Sequence, residues 1–151
     1  MNDALRNLYQ EVILDHGKHP RHFHKIDPCS HCREGYNPLC GDQLTLYINI
    51  REGIIEDIGF TGHGCAISMA SASLMSQAVN GKTVAQATEM FKAFHHLLTA
   101  KDKDSGHEEK LGKLMVLAGV KEFPSRVKCA TLAWHTLENI MHNAGNPAGT
   151  P

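Results

Sequence analysis

The chain has 151 residues, 42% of them hydrophobic, enough for one ordinary domain spanning 1–151 with a core that needs no disulfides. Lysine and arginine number 15 against 16 aspartates and glutamates, a formal net charge of -1, so no global positive field is available to hold nucleic acid. No apolar run reaches the roughly 20 residues of a membrane span, and MNDALRNLYQ lacks the basic start and apolar core of a secretory signal, so the expectation is a cytoplasmic protein with no membrane partner.

In that compartment cysteines persist as thiols, and Cys29, Cys32, Cys40, Cys65 and Cys129 read as metal ligands, nucleophiles or redox groups before they read as disulfides. Five is also an odd count. Eleven histidines, with His16, His19, His22, His24 and His31 clustered early, add a bias toward metal chemistry without identifying any.

From Asn2 to His16, Leu5, Leu8, Tyr9, Val12 and Ile13 repeat at helical spacing, with Asn2 or Asp3 available as a cap. Gly17 to Asp42 carries Pro20, Pro28, Pro38, Gly35 and Gly41 without a sustained period and reads as irregular. Gln43 to Arg51 alternates, placing Leu44, Leu46, Ile48 and Ile50 on one face; Glu52-Gly53 can turn the chain, and Ile54 to Thr61 returns with Ile54, Ile58 and Phe60 in register. A short third strand is expected at Ala66, Ile67 and Ser68, followed by a closely packed helix of small residues from Ser68 to Val79 that ends at Asn80-Gly81.

Thr83 suits the cap of a helix whose stripe is Val84, Ala87, Phe91, Phe94 and Leu98. Lys101 to Glu109 reads as a charged excursion, and a short helix is expected around Lys110 to Ala118. The last helix begins near Pro124, buries Val127, Ala130, Trp134, Leu137 and Met141, and is stopped by Gly145 and Pro147. Consecutive strands followed by a run of helices predict an α+β fold: a small three-stranded antiparallel sheet covered by about five helices.

The chemistry concentrates at the ends of the hairpin. Cys40-Gly41-Asp42 precedes its first strand and Gly62-His63-Gly64-Cys65 follows its second. In an antiparallel pair those ends lie at the same edge of the sheet, so Cys40, Asp42 and Cys65 converge, and Cys129 in the opening turns of the last helix can complete four ligands. Three sulfurs and a carboxylate suit tetrahedral zinc, and the thiolates equally suit an iron-sulfur cluster. Zinc with three thiolates and a carboxylate leaves two surplus negative charges, which Arg126 and Lys128 are placed to offset. The same residues admit plainer roles: Cys40 and Cys65 as small buried hydrophobes, Asp42 as a loop acceptor, and Arg126 and Lys128 as solvated helix charges.

Three segments carry a family resemblance. Asn37-Pro38-Leu39-Cys40-Gly41-Asp42, then Gly62-His63-Gly64-Cys65-Ala66-Ile67-Ser68, then Phe123-Pro124-Ser125-Arg126-Val127-Lys128-Cys129 resemble, in order, the signature of the U-type iron-sulfur cluster assembly proteins. That family includes IscU scaffolds, the N-terminal part of NifU, and SufU. Lys128 stands where the scaffold branch has a histidine before its last cysteine, no LPPVK-like stretch precedes it, and 63 residues separate Cys65 from Cys129; all three features resemble the SufU branch.

That resemblance implies zinc held by Cys40, Asp42, Cys65 and Cys129, a SufS-type cysteine desulfurase as partner, downstream cluster-assembly proteins as recipients, Cys40 as the persulfide acceptor, and Arg126 at a position important for activity. Its alternative is a scaffold holding a transient [2Fe-2S] cluster on the same residues; a zinc-stabilised binding module without sulfur chemistry is the reading from another class. Cys29-Ser30-His31-Cys32, near His22 and His24, departs from the family pattern. It reads first as a variable loop that happens to hold two thiols, and otherwise as a second metal site, a redox disulfide or a sulfur relay.

Overall fold

The computed structural model describes residues 3–100 and 108–142. Helix α1 (Asp3–Lys18) leads into β1 (His31–Asn37), β2 (Asp42–Arg51) and β3 (Ile54–His63), which form one antiparallel sheet in the order β1-β2-β3. Helices α2 (Ala66–Val79), α3 (Val84–Thr99) and α4 (Glu108–Leu111) follow, then a 3-10 helix (Gly112–Glu122) and α5 (Pro124–His142). The α+β expectation holds, with five α-helices against the three-stranded sheet. No helix among the described residues is long and apolar enough to cross a membrane.

The third strand lies elsewhere than expected. Ala66, Ile67 and Ser68 are the first turn of α2, and the missing strand is β1, inside the segment read as irregular. In β1 exposed Cys32, Glu34 and Tyr36 alternate with better covered His31, Arg33, Gly35 and Asn37. The covered positions are not a hydrophobic set, so periodicity had nothing to detect.

Glu52 (φ 53°) and Gly53 (φ 77°) make the tight turn between β2 and β3. Both central residues with positive φ match the right-handed twist of the flanking strands. Leu44, Leu46, Ile48, Ile58 and Phe60 face the core as expected. A register shift between Asn49 and Ile50 reassigns the hairpin's far end: Ile50 pairs with Ile55, Ile55 is fully buried, and Ile54 turns 41% exposed.

Helix α2 runs through the middle of the molecule, and nearly all of it, from Ser68 to Ser76, is buried except for half-covered Met69. Small side chains let its neighbours approach. Ser71 Oγ donates to the Ala130 carbonyl of α5, and His16 of α1 lies 2.7 Å from Ser73 Oγ, which also accepts the Arg21 amide at 2.8 Å. Helix α3 starts at a complete capping box in which Thr83 and Gln86 exchange hydrogen bonds. It buries Ala87, Phe91, Phe94 and Leu98, while Val84 is half-covered; Phe91 and Phe94 stack on Trp134 of α5.

Two smaller expectations change. Leu8 of α1 is exposed rather than core-facing, and the stretch after Leu111 winds as a 3-10 helix rather than an α-helix. Most of the Lys101–Glu109 excursion, and the Gly145 and Pro147 stop, lie outside the described residues.

Candidate metal centre

Asn37 and Asp42 are the last paired residues of the β1-β2 hairpin, so residues 38–41 make a short turn between them. Gly41 takes φ 70°, a left-handed conformation that costs glycine little. Cys40 stands exposed on this turn, whereas Asp42, the first residue of β2, is fully buried. A buried carboxylate needs partners, and Asp42 has them: Oδ1 accepts the Cys65 amide at 2.8 Å and Oδ2 accepts Asn37 Nδ2 at 3.3 Å.

The close approach of β3's exit to this carboxylate requires glycine. A Cβ on Gly64 would stand 2.6 Å from Asp42 Oδ1. Cys65 then caps α2: its sulfur accepts the Ser68 amide at 3.4 Å, the role a serine or threonine oxygen usually fills.

Cys129 arrives from α5. Its side chain is fully buried, its sulfur is 3.2 Å from that of Cys40, and Asn37 Nδ2 lies 3.8 Å away. The ligand atoms of Cys40, Asp42 and Cys129 all lie within 4.8 Å of one another. Cys65 is not in that group; it acts on the Cys129 thiol from beside it.

The helix is positioned from below by Gly35 of β1. A Cβ there would run into Thr136 Oγ1 and meet Leu132 Cδ1 at 3.3 Å, so α5 rests directly on the strand. Thr136 is two turns beyond Cys129, on the same side of the helix.

The electrostatics are those of a crowded anionic site. Burial pushes the Cys129 thiol well above its ordinary range, and hydrogen bonds with Cys40, Asp42 and Cys65 push it further. Arg126, one turn before Cys129, is exposed, and the Cys129 thiol foremost, then the charges of Cys65 and Cys40, raise the pKa of its guanidinium. Lys128 is also exposed. One guanidinium does not offset three thiolates and a carboxylate, so these residues ionise together only around a bound cation. Sulfur donors at this spacing fit zinc and, equally, iron.

The plainer role weighed for Cys40, a buried hydrophobe, does not fit its exposed turn. Asn37 is the residue that sequence reasoning passed over. It stands in the first signature segment, but nothing in the linear order shows that its amide reaches both Asp42 and Cys129. Cys29 and Cys32 lie apart from the centre. Cys32 is near the far end of β1, five residues from Asn37, about 16 Å at strand rise. Leu39 beside Cys40 is 70% exposed, and Phe123, the residue before α5, is 59% exposed.

Comparison with known proteins agrees with this architecture. Residues 8–130 match the NifU-like N terminal domain. The chain is 43% identical over 137 residues to the zinc-dependent sulfurtransferase SufU of Bacillus subtilis, covering 91% of each. It is 38% identical to the iron-sulfur cluster assembly scaffold protein IscU of Streptococcus pyogenes, covering 94% of this chain and 87% of that one. Among solved structures it superposes with a TM-score of 0.80 and 40% identity on a protein put forward as an assembly scaffold for the SUF system of Fervidobacterium islandicum, covering 88% of this chain and 96% of that one. The chain belongs to the NifU-like N-terminal domain family of iron-sulfur cluster assembly proteins.

Proposed function

We propose that this protein is a zinc-dependent sulfurtransferase of iron-sulfur cluster assembly, accepting persulfide sulfur on Cys40 from a SufS-type cysteine desulfurase and passing it to downstream cluster-assembly proteins. One observation carries the reading: the ligand atoms of Cys40, Asp42 and Cys129 meet within 4.8 Å beside Arg126, in a chain 43% identical to a zinc-dependent sulfurtransferase.

Cys40, Asp42, Cys65 and Cys129 are the proposed ligands, and zinc held there would supply deprotonated but masked thiolates. Each residue has a distinct task. Asp42 and Cys129, both buried, form the floor, and Asn37 orients them. Cys40 is the thiol reachable from outside. Its thiolate attacks the outer sulfur of the donor's persulfide; the new S–S bond leaves that sulfur on Cys40, and the donor cysteine departs as a thiolate. Arg126 offsets the negative charge that gathers on these sulfurs. Exposed Leu39 and Phe123 supply apolar contact for the docked desulfurase.

The test is sulfide release by a SufS-type desulfurase with and without the zinc-loaded protein and its Cys40→Ser variant. Strong stimulation that vanishes in the variant is expected; an absence of stimulation by the wild type sinks the reading. The 38% identity to an IscU scaffold favours a second reading, assembly of a [2Fe-2S] cluster on the same residues. Stable cluster absorption after anaerobic reconstitution with desulfurase, cysteine and ferrous iron would replace the first with the second.

A further inference from the structure

The Cys29-Ser30-His31-Cys32 segment lies apart from the candidate metal centre, and its backbone is tied by hydrogen bonds to the end of β2. The Ser30 amide donates to Asn49 Oδ1 at 2.6 Å, and Ser30 Oγ donates to the Ile48 carbonyl at 3.0 Å while accepting the Ile50 amide at 2.9 Å. Asn49 Nδ2 donates to the Pro28 carbonyl at 3.4 Å. Both neighbours of Cys29 are therefore pinned to the end of β2, while Cys32 is fixed in the sheet opposite Tyr47. This backbone holds Cys29 and Cys32 three positions apart at the entry to β1, close enough for Cys29 to act on the Cys32 thiol. Cys32 is exposed and Cys29 half-covered, so small reagents reach both.

We propose that Cys29 and Cys32 form a dithiol–disulfide centre, separate from the metal centre, that reduces S–S bonds of small disulfides or persulfides by thiol–disulfide exchange. One thiolate of the pair attacks RS–SR′, forms a mixed disulfide and expels R′S⁻. The second attacks the cysteine sulfur of that mixed disulfide, closes the Cys29–Cys32 bond and expels RS⁻. The pair loses two electrons and two protons, and the substrate leaves as RSH and R′SH. Where R′ is hydrogen, one product is sulfide.

The surroundings set the direction of the couple. Burial first, then Cys29 and Glu34, hold the Cys32 thiol above its ordinary range. A Cys32 thiolate that is disfavoured is the opposite of what makes a strong oxidant, whose reduced form is favoured. With only two sulfurs in reach, the pair falls short of the four ligands of a closed structural metal site. Among the described residues the grouping of three or more ligand atoms is Cys40, Asp42 and Cys129.

The experiment equilibrates the full-length, metal-loaded protein with glutathione disulfide in one arm and glutathione persulfide in the other, then alkylates free thiols and maps the peptides. The expected result is joint loss of the Cys29 and Cys32 thiols to a single Cys29–Cys32 linkage, with one sulfide released per linkage in the persulfide arm. Cys29→Ser and Cys32→Ser each leave a glutathione adduct on the remaining thiol. Linkage in one arm only assigns the substrate to that source. Independent glutathione adducts on Cys29 and Cys32 in the wild type, linkage of either to Cys40, or retention of both free thiols in both arms overturns the proposal.

Discussion

The sulfurs of Cys40 and Cys129 are 89 residues apart in the chain and 3.2 Å apart in the fold, whereas Cys29 and Cys32 are separated by two residues, one in the pinned loop before β1 and the other in β1 itself. The first grouping draws a turn, the start of a strand, a helix cap and the second turn of α5 to one point, so it inherits the integrity of the whole molecule. The second needs a few hydrogen bonds to the end of β2. Damage to the core should therefore reach the metal centre and spare the dithiol, and damage to the loop should do the reverse.

The largest expected effect comes from Asp42. Asp42→Ala removes a proposed ligand and leaves the Cys65 amide without its carboxylate acceptor; metal content measured by mass spectrometry is expected to fall to near zero, and stability to drop by about 1–3 kcal/mol in denaturant titration. Arg126→Ala should slow sulfur acceptance on the order of tenfold while the thermal midpoint stays put, since this exposed group acts on the thiols rather than on the core. Arg126→Lys should recover part of the rate.

Gly64→Ala tests the approach of β3 to the carboxylate. Its methyl group would crowd a pinned Asp42, and a loss of about 1–2 kcal/mol with weakened metal retention is expected. A milder effect follows from pH. Burial foremost, then Arg21, holds the His16 imidazole below its ordinary value, so the folded state keeps it neutral while the unfolded chain takes up a proton near the usual ~6.5. Stability contributed here is intact above that pH and is lost as pH falls from it toward the folded value. His16→Asn should flatten the dependence of the thermal midpoint over that interval. The smallest change is expected from Cys29→Ser with Cys32→Ser: stability within about 0.5 kcal/mol of wild type and unaltered metal content.

What was legible in the sequence follows the same division between local and distant. The β2-β3 hairpin shows in its alternation because one face is apolar and the turn residues are those its geometry requires. β1 stays hidden because its covered positions, His31, Arg33, Gly35 and Asn37, are not a hydrophobic set; Gly35 lets α5 approach and Asn37 reaches Asp42. The start of α2 was misplaced because the cap is a thiol, outside the usual set of capping side chains. The antiparallel hairpin implies that Asp42 and Cys65 meet, and the opening turns of the last helix offer Cys129 as a fourth ligand, but the closeness of its sulfur to Cys40 rests on how α5 docks, which no periodicity tells.

Gly35 has no donor atom, makes no bond to any ligand and lies outside the signature segments, yet it works as the shim of a caliper. One jaw is the turn bearing Cys40, continuous with β1; the other is α5 bearing Cys129, seated on the bare backbone of that strand at Thr136. The gap between the jaws is set by the thickness of the spacer, and hydrogen is the thinnest side chain available. Any thicker spacer opens the jaws, so the reach between two sulfurs is gauged by a residue with no chemistry of its own.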